Sequence, residues 1–265
     1  KIMVNQEMFK SKRINTLTVS TVCLLLTLFQ YSCQTNAPSK RITIASSGKV
    51  NSLDPARANT LKALQLISSL GDTLYELDND GELIPKLASK MPVISKDKLK
   101  ISISLKKNIL FHDGTPFDSK AMKFTIERFQ RIGTNNYILD KKIKSIETPN
   151  KNTLIINLNK PTSSLEGLLT SVNLTAISPS FYKNHIDKFL NNNFVGTGQY
   201  VLKSFSNEVQ ILDPNLNYWD LKPKNHGINF VGYSNSSSLY GALKSKQIDV
   251  LLSNSIDDSQ RKDLN

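Results

Sequence analysis

Residues 99–128 read LKISISLKKNILFHDGTPFDSKAMKFTIER, and this stretch decides the architecture. Leu99, Ile101, Ile103 and Leu105 alternate with polar residues, the period-2 pattern of a strand with one buried face. Asp113-Gly114 then supplies a tight turn, because glycine reaches positive φ without a steric penalty. Asp118 stands where a helix N-cap belongs, with its carboxylate placed to accept a backbone N–H of the first turn. Met122, Ile126 and Phe129 fall on one helical stripe, with Ala121 and Phe124 beside it. The reading is strand, turn, capped helix. His112 and Asp113 invite a metal or acid–base interpretation, but adjacent side chains in a turn diverge and no third ligand follows at useful spacing. No metal site is expected there.

Working outward, Arg41–Ala45 reads as a first strand and Ser46–Asn51 as a loop. Asp54-Pro55 interrupts regular structure before a helix over 60–70, whose spacing sets Leu61, Leu64 and Ile67 on one face. Asn79-Asp80-Gly81 between apolar runs marks a hairpin. The acids Asp78, Asp80 and Glu82 lack the twelve-residue ligand spacing of a calcium loop. Beyond a loop over 133–140 that carries Tyr137, Ile143–Glu147 and Thr153–Leu158 form two strands around a turn at 149–152. A helix is expected over 165–174, a hairpin over 200–212, a helix capped by Ser237, and a last strand over 248–252. Gly196-Thr197-Gly198 has neither a following Lys-Ser/Thr nor a strand-to-helix context, so it is not a phosphate loop.

Composition bounds the function. The 265 residues are 39% apolar and 21% charged, with a net charge of +12. Lysine and arginine are scattered rather than gathered into a basic stripe, which argues against a nucleic-acid partner. Lys10, Lys12 and Arg13 precede the short apolar run Val22–Phe29 and then Tyr31-Ser32-Cys33, the order of an export signal. Of the two cysteines, Cys23 lies inside that run, which leaves no disulfide and no cysteine metal site. The histidines His112, His185 and His226 stand near no nucleophile motif such as G-x-S-x-G, so no catalytic residue and no cofactor is expected.

The segment FHDGTPFDSKAMKFTIER resembles the signature of the family 5 extracytoplasmic solute-binding proteins, the oligopeptide, dipeptide and nickel receptors of ABC importers. The resemblance continues in order through LDPARANT, DNDGELIPKLAS, the Gly196–Tyr200 crossover, LDPNLNYW and the Leu243–Val250 segment. Gln199, Leu216 and Lys246-Gln247 replace the family's usual proline, proline and Gly-Glu. The resemblance implies an α/β fold of the periplasmic binding protein type (type II, three-domain cluster). Lobe I would be discontinuous, over 41–71 and 195–265, with an inserted subdomain over 72–194. Residues 1–33 would be a lipoprotein-type signal peptide with Cys33 the lipidated residue, and 34–40 a tether. A second lobe would follow the last strand, so the chain reads as an N-terminal portion with that lobe missing.

By the same resemblance, Asn59, Thr60, Leu61 and Tyr137 line the ligand cleft. All four are uncharged, so a charged ligand group would find no partner among them. The implied role is extracytoplasmic binding of a solute, oligopeptide or dipeptide, for delivery to ABC permease and ATPase subunits. The protein would sit in the periplasm or on the outer membrane face, with a lipid anchor as its contact with the membrane. The alternatives are an envelope sensor or scavenger without a permease, and a secreted hydrolase.

Overall fold

The structure is a computed structural model that describes residues 40–162, 165–251 and 256–264; the expected signal segment and Cys33 lie outside them. Strand β1 (Ile42–Ser47) runs through a five-stranded sheet, between β10 (Ile228–Tyr233) and β11 (Val250–Leu251). Both neighbours are parallel to it, in register from Ile42 opposite Ile228 to Ser47 opposite Tyr233, and with Ala45 opposite Leu251. Beyond β10 come β9 (Val209–Pro214) and β8 (Tyr200–Phe205), each antiparallel to its neighbour. Parallel neighbours need long crossovers. Helix α1 (Leu61–Leu70) lies on the route out of β1, and α5 (Ser236–Lys244) carries the chain from β10 across to β11.

A second sheet is wholly antiparallel and draws its strands from the middle of the chain. Its order is β4 (Val93–Ile94), β5 (Lys100–Ser104), β7 (Thr153–Leu158), β6 (Ile143–Asn150). Ile101 and Ile103 face Ile156 and Leu154 across its central ladder. Helix α2 (Ser119–Ile132) packs Ala121, Met122, Ile126 and Phe129 into the core beside them. Asp118 caps that helix as expected, accepting from Ala121 N at 3.0 Å. A two-stranded ribbon, β2 (Tyr75–Leu77) with β3 (Leu83–Pro85), turns at Gly81, whose φ is +83°. Asp78 Oδ1 accepts from the backbones of Asp80 and Glu82 there, which is turn chemistry rather than calcium ligation.

Several expectations shift. Helix α1 buries Ala63, Leu66, Ile67 and Leu70, while Leu61 is 55% exposed, so the apolar stripe is rotated from the 61/64/67 face. The helix expected over 165–174 is broken into one turn, α3 (Leu165–Leu168), and a 3₁₀ turn at Val172–Leu174. Gly167 weakens the helix interior, and Asn173 Nδ2 is drawn to the carbonyls of Pro55 and Ala58 at 2.6 and 2.8 Å. A further single turn, α4, spans Pro179–Tyr182, and α6 covers Asp258–Asp263. Asn235, not Ser237, caps α5, because its Oδ1 reaches Ser238 N at 2.8 Å. That helix ends in a six-to-one closure, with Gln247 N on Ala242 O and Lys246 N on Leu243 O. Lys246 adopts φ +58° to make it.

Candidate functional site at the carboxyl edge of the sheet

In open α/β sheets, ligands bind beyond the carboxyl ends of parallel strands, where connections leave toward opposite sides. Here that point is the end of β1: the chain returns through β8 and β9 to β10 on one flank, and α5 then carries it to β11 on the other. The segment leaving β1, residues 48–60, is held in place from several directions. Gly48 N donates to Tyr233 O, Val50 N to Asn207 O and Leu53 N to Asn191 O, at 2.9, 3.1 and 2.7 Å. Thr134 N reaches Ala56 O at 2.8 Å. Thr60 then caps α1 through its hydroxyl, which accepts from Ala63 N.

Beneath this loop lies the most tightly knit polar contact of the fold. Asp54 and Arg128, 0% and 1% exposed, form a two-pronged ion pair at 2.9 and 2.6 Å. The carboxylate also accepts from the backbones of Ala56 and Leu190, at 3.0 and 2.7 Å. Arg128 Nη2 donates to Lys188 O at 2.8 Å, and its guanidinium stacks 5.0 Å from the Tyr182 ring. Both carboxylate oxygens and all three guanidinium nitrogens are engaged, Nε with His185 O at 3.4 Å, so the pair positions the loop rather than facing a ligand. Nothing in the composition of either segment names Asp54 and Arg128 as partners.

Two adjoining hollows open on the loop. One, about 330 Å³, is lined by Asn59 and Thr60 together with Asn51, Ser52, Arg57 and Thr134. The other, about 540 Å³, shares Asn51 and is lined by Phe189, Asn191, Asn192, Phe205 and Asn207. Of the residues expected to line a cleft, the structure thus brings Asn59 and Thr60 together. Leu61 lies beside them on α1 and points outward, and Tyr137, on a 3₁₀ turn, is 71% exposed; neither lines a hollow described here.

A charged side chain also lines the smaller hollow. Arg57, two residues before Asn59, lines the smaller hollow and reaches toward the larger one, with Nη1 3.3 Å from Asn191 Oδ1 and its guanidinium 5.5 Å from the Phe189 ring. The LDPARANT stretch already contained it. Lys62 adds a second cation at this edge: its Nζ donates to Gly48 O at 2.9 Å, and a Cβ at Gly232 would meet that nitrogen at 2.7 Å. Burial pulls the Lys62 ammonium below the usual lysine range, against the attraction of Glu208.

At the far end of α1, Asp72 borders a further cavity of about 400 Å³. It accepts from Tyr218 Oη, Trp219 Nε1 and Thr197 Oγ1 at 2.9, 3.0 and 2.8 Å. Burial raises its carboxyl above the ordinary range despite these donors. His112 and Asp113 diverge as their adjacency requires. His112 Nδ1 accepts from Gly196 N and Nε2–H donates to Gly198 O at 3.1 Å, while Asp113 accepts from Ser178 and Ser180. Among the described residues, no group of three or more His, Cys, Asp or Glu side chains could hold a metal.

This mixed α/β arrangement is that of the type II periplasmic binding proteins. It superposes on NikZ from Campylobacter jejuni, solved with Ni(L-His), with a TM-score of 0.77 and 26% identity over 86% of this chain and 45% of that one. It also superposes on a dipeptide-binding protein from Pseudoalteromonas, with a TM-score of 0.78 at 20% identity, over 85% and 49% of the two chains. The chain belongs to the bacterial extracellular solute-binding proteins, family 5, whose middle region matches residues 82–265. Among curated relatives, the "Probable D,D-dipeptide-binding periplasmic protein DdpA" of Escherichia coli K12 is 28% identical over 214 residues, which are 76% of this chain and 41% of DdpA. The glutathione-binding protein GsiB of Escherichia coli O1:K1 is 29% identical over 170 residues, 63% of this chain and 33% of GsiB. The chain therefore spans between a third and a half of the length of the relatives it matches. By name these relatives are binding proteins rather than enzymes.

Proposed function

We propose that the protein is an extracytoplasmic receptor that captures a small peptide-like solute and presents it to the permease and ATPase subunits of an ABC importer. The observation that carries this reading is the family match over residues 82–265, on a sheet whose carboxyl edge opens into a polar hollow. Asn59 and Thr60 act there as hydrogen-bonding contacts, and the exposed Leu61 and Tyr137 offer apolar surface to the solute outside the two hollows. The five-stranded sheet is lobe I, from residues 41–71 and 195–265, and the four-stranded sheet belongs to the subdomain inserted over 72–194. Residues 1–33 direct export, and Cys33 carries a lipid that holds the receptor at the membrane. A solute clamped between two lobes selects their closed arrangement, and that arrangement is what a permease can recognise.

Two measurements test this together: calorimetry of the full chain against a random tripeptide pool, and uptake of labelled tripeptide by cells with and without the gene. Binding with gene-dependent uptake is the expected result. Binding without any uptake difference identifies a sensor or scavenger instead. Absence of both refutes peptide reception. Cys33→Ala should release the protein from membranes.

A further inference from the structure

The charges at the carboxyl edge are unequally used. Lys49 and Glu208 satisfy one another at 2.7 Å, and Asp54 is consumed by Arg128 and two backbone N–H groups. Two cations remain. Lys62 has one carbonyl acceptor, and Arg57 has one long hydrogen bond to an amide oxygen. Among the described residues, Arg57 is the only charged group lining the 330 Å³ hollow; its companions are amides, hydroxyls and two alanines. A guanidinium presents its N–H groups as a planar fork that fits a carboxylate with two parallel hydrogen bonds. Arg57 Cζ lies 5.5 Å from the Phe189 ring centroid, and with Nη1 on Asn191 its Nε–H and Nη2–H have no hydrogen-bond partner among the described residues. No carboxylate lines this hollow to receive a ligand cation in its place.

We infer that the hollow is an anion subsite: it selects solutes bearing a carboxylate, and Arg57 receives that group. The inference rests on the solute-binding reading and goes further, in naming the charge of the ligand and the residue that reads it. Asn51, Asn59 and Thr60 hydrogen-bond the neutral polar atoms next to the carboxylate. Lys62 contributes field at the same edge, and the excess of lysine and arginine that remains beyond residue 33 steers anions toward the protein as a whole. The carboxylate is either a peptide C-terminus or that of a simple organic acid.

The test is calorimetry on the full chain with tri-alanine, tri-alanine C-terminal amide and succinate, repeated on Arg57→Gln. Arg57 is exposed, so this change leaves the fold intact, which circular dichroism verifies. Tri-alanine should bind at least tenfold more tightly than its amide, and Arg57→Gln should close that gap to under threefold by weakening the acid far more than the amide. Arg57→Lys should restore part of the gap. Succinate binding that is lost in Arg57→Gln supports the subsite and marks it as reading any carboxylate; tri-alanine binding without succinate binding supports it as reading a peptide terminus. An amide that binds as tightly as the acid, or a gap that survives Arg57→Gln, overturns the inference and leaves the receptor reading standing. Failure of all three probes to bind the unaltered chain overturns both.

Discussion

Replacing Arg128 by methionine keeps most of the side-chain volume and removes the charge. The Asp54 carboxylate, 0% exposed, would then retain only the N–H groups of Ala56 and Leu190. Breaking a buried pair by deleting one partner costs about 3–5 kcal/mol, because the remaining ion stays desolvated without its counter-charge. The bond to Lys188 O and the stack on Tyr182 disappear as well, which places the expected loss toward the upper end of that range. Against a typical stability of about 5–15 kcal/mol this is a large fraction. With a urea slope of about 2–3 kcal/mol/M, the unfolding midpoint should fall by roughly 1–2 M at constant slope. Arg128→Lys should lie between, since an ammonium cannot reproduce the two-pronged geometry. The double variant Asp54→Asn/Arg128→Met should lose less than the sum of the single losses, because removing both charges removes the stranded ion. Ligand binding should fail in Arg128→Met at urea concentrations where the molecule is still folded, because the pair holds the loop that carries Arg57 and Asn59. A loss below about 1 kcal/mol, or strictly additive singles, would refute this account.

Three further outcomes are expected. Lys246→Gly should stabilise the fold by about 1 kcal/mol in chemical denaturation, since glycine takes φ +58° without the Cβ clash that lysine carries. Gly198→Ala should destabilise by about 1–3 kcal/mol, because the added Cβ would lie 2.3 Å from Leu70 C and 2.4 Å from Gly71 N, backbone atoms that cannot swing aside. His112 is held neutral by burial, its pKa lowered against the pull of Gly198 O and Asp113. The unfolded chain therefore binds the proton more readily, so this contribution to stability is present above the unfolded value of about 6.5 and lost progressively as pH falls from there through the lower folded value. His112→Asn should flatten that part of the stability–pH profile, and a profile unchanged between pH 7 and 5 would exclude the assignment.

A receptor of this kind needs a rigid ligand-facing edge so that binding free energy is spent on selecting the closed arrangement rather than on ordering loops. In the proposed role the loop over 48–60 would meet that need through its backbone bonds to β10, to the β8–β9 turn and to the segments around Thr134 and Asn191.

What the chain alone determined is local. The alternation over 99–105, the Gly81 and Gly114 turns and the Asp118 cap are set by residues within a few positions of one another, so periodicity and turn chemistry reveal them. The family was legible for the same reason, since its signature consists of such local signals in a fixed order. The faces and partners were not legible. Leu61 and Ala63 differ in hydrophobicity in the wrong direction for their burial, because the orientation of α1 is dictated by the sheet it covers. The helix expected over 165–174 breaks where Asn173 is recruited by carbonyls more than a hundred residues away. Arg57 appears in the sequence as an ordinary loop cation, and only the fold seats it on Phe189 in a hollow without acids. Asp54 and Arg128 are separated by 74 positions and find each other solely through the packing of α2 against the loop below β1. Such contacts are fixed by the whole core at once, and no window of sequence contains the information that places them.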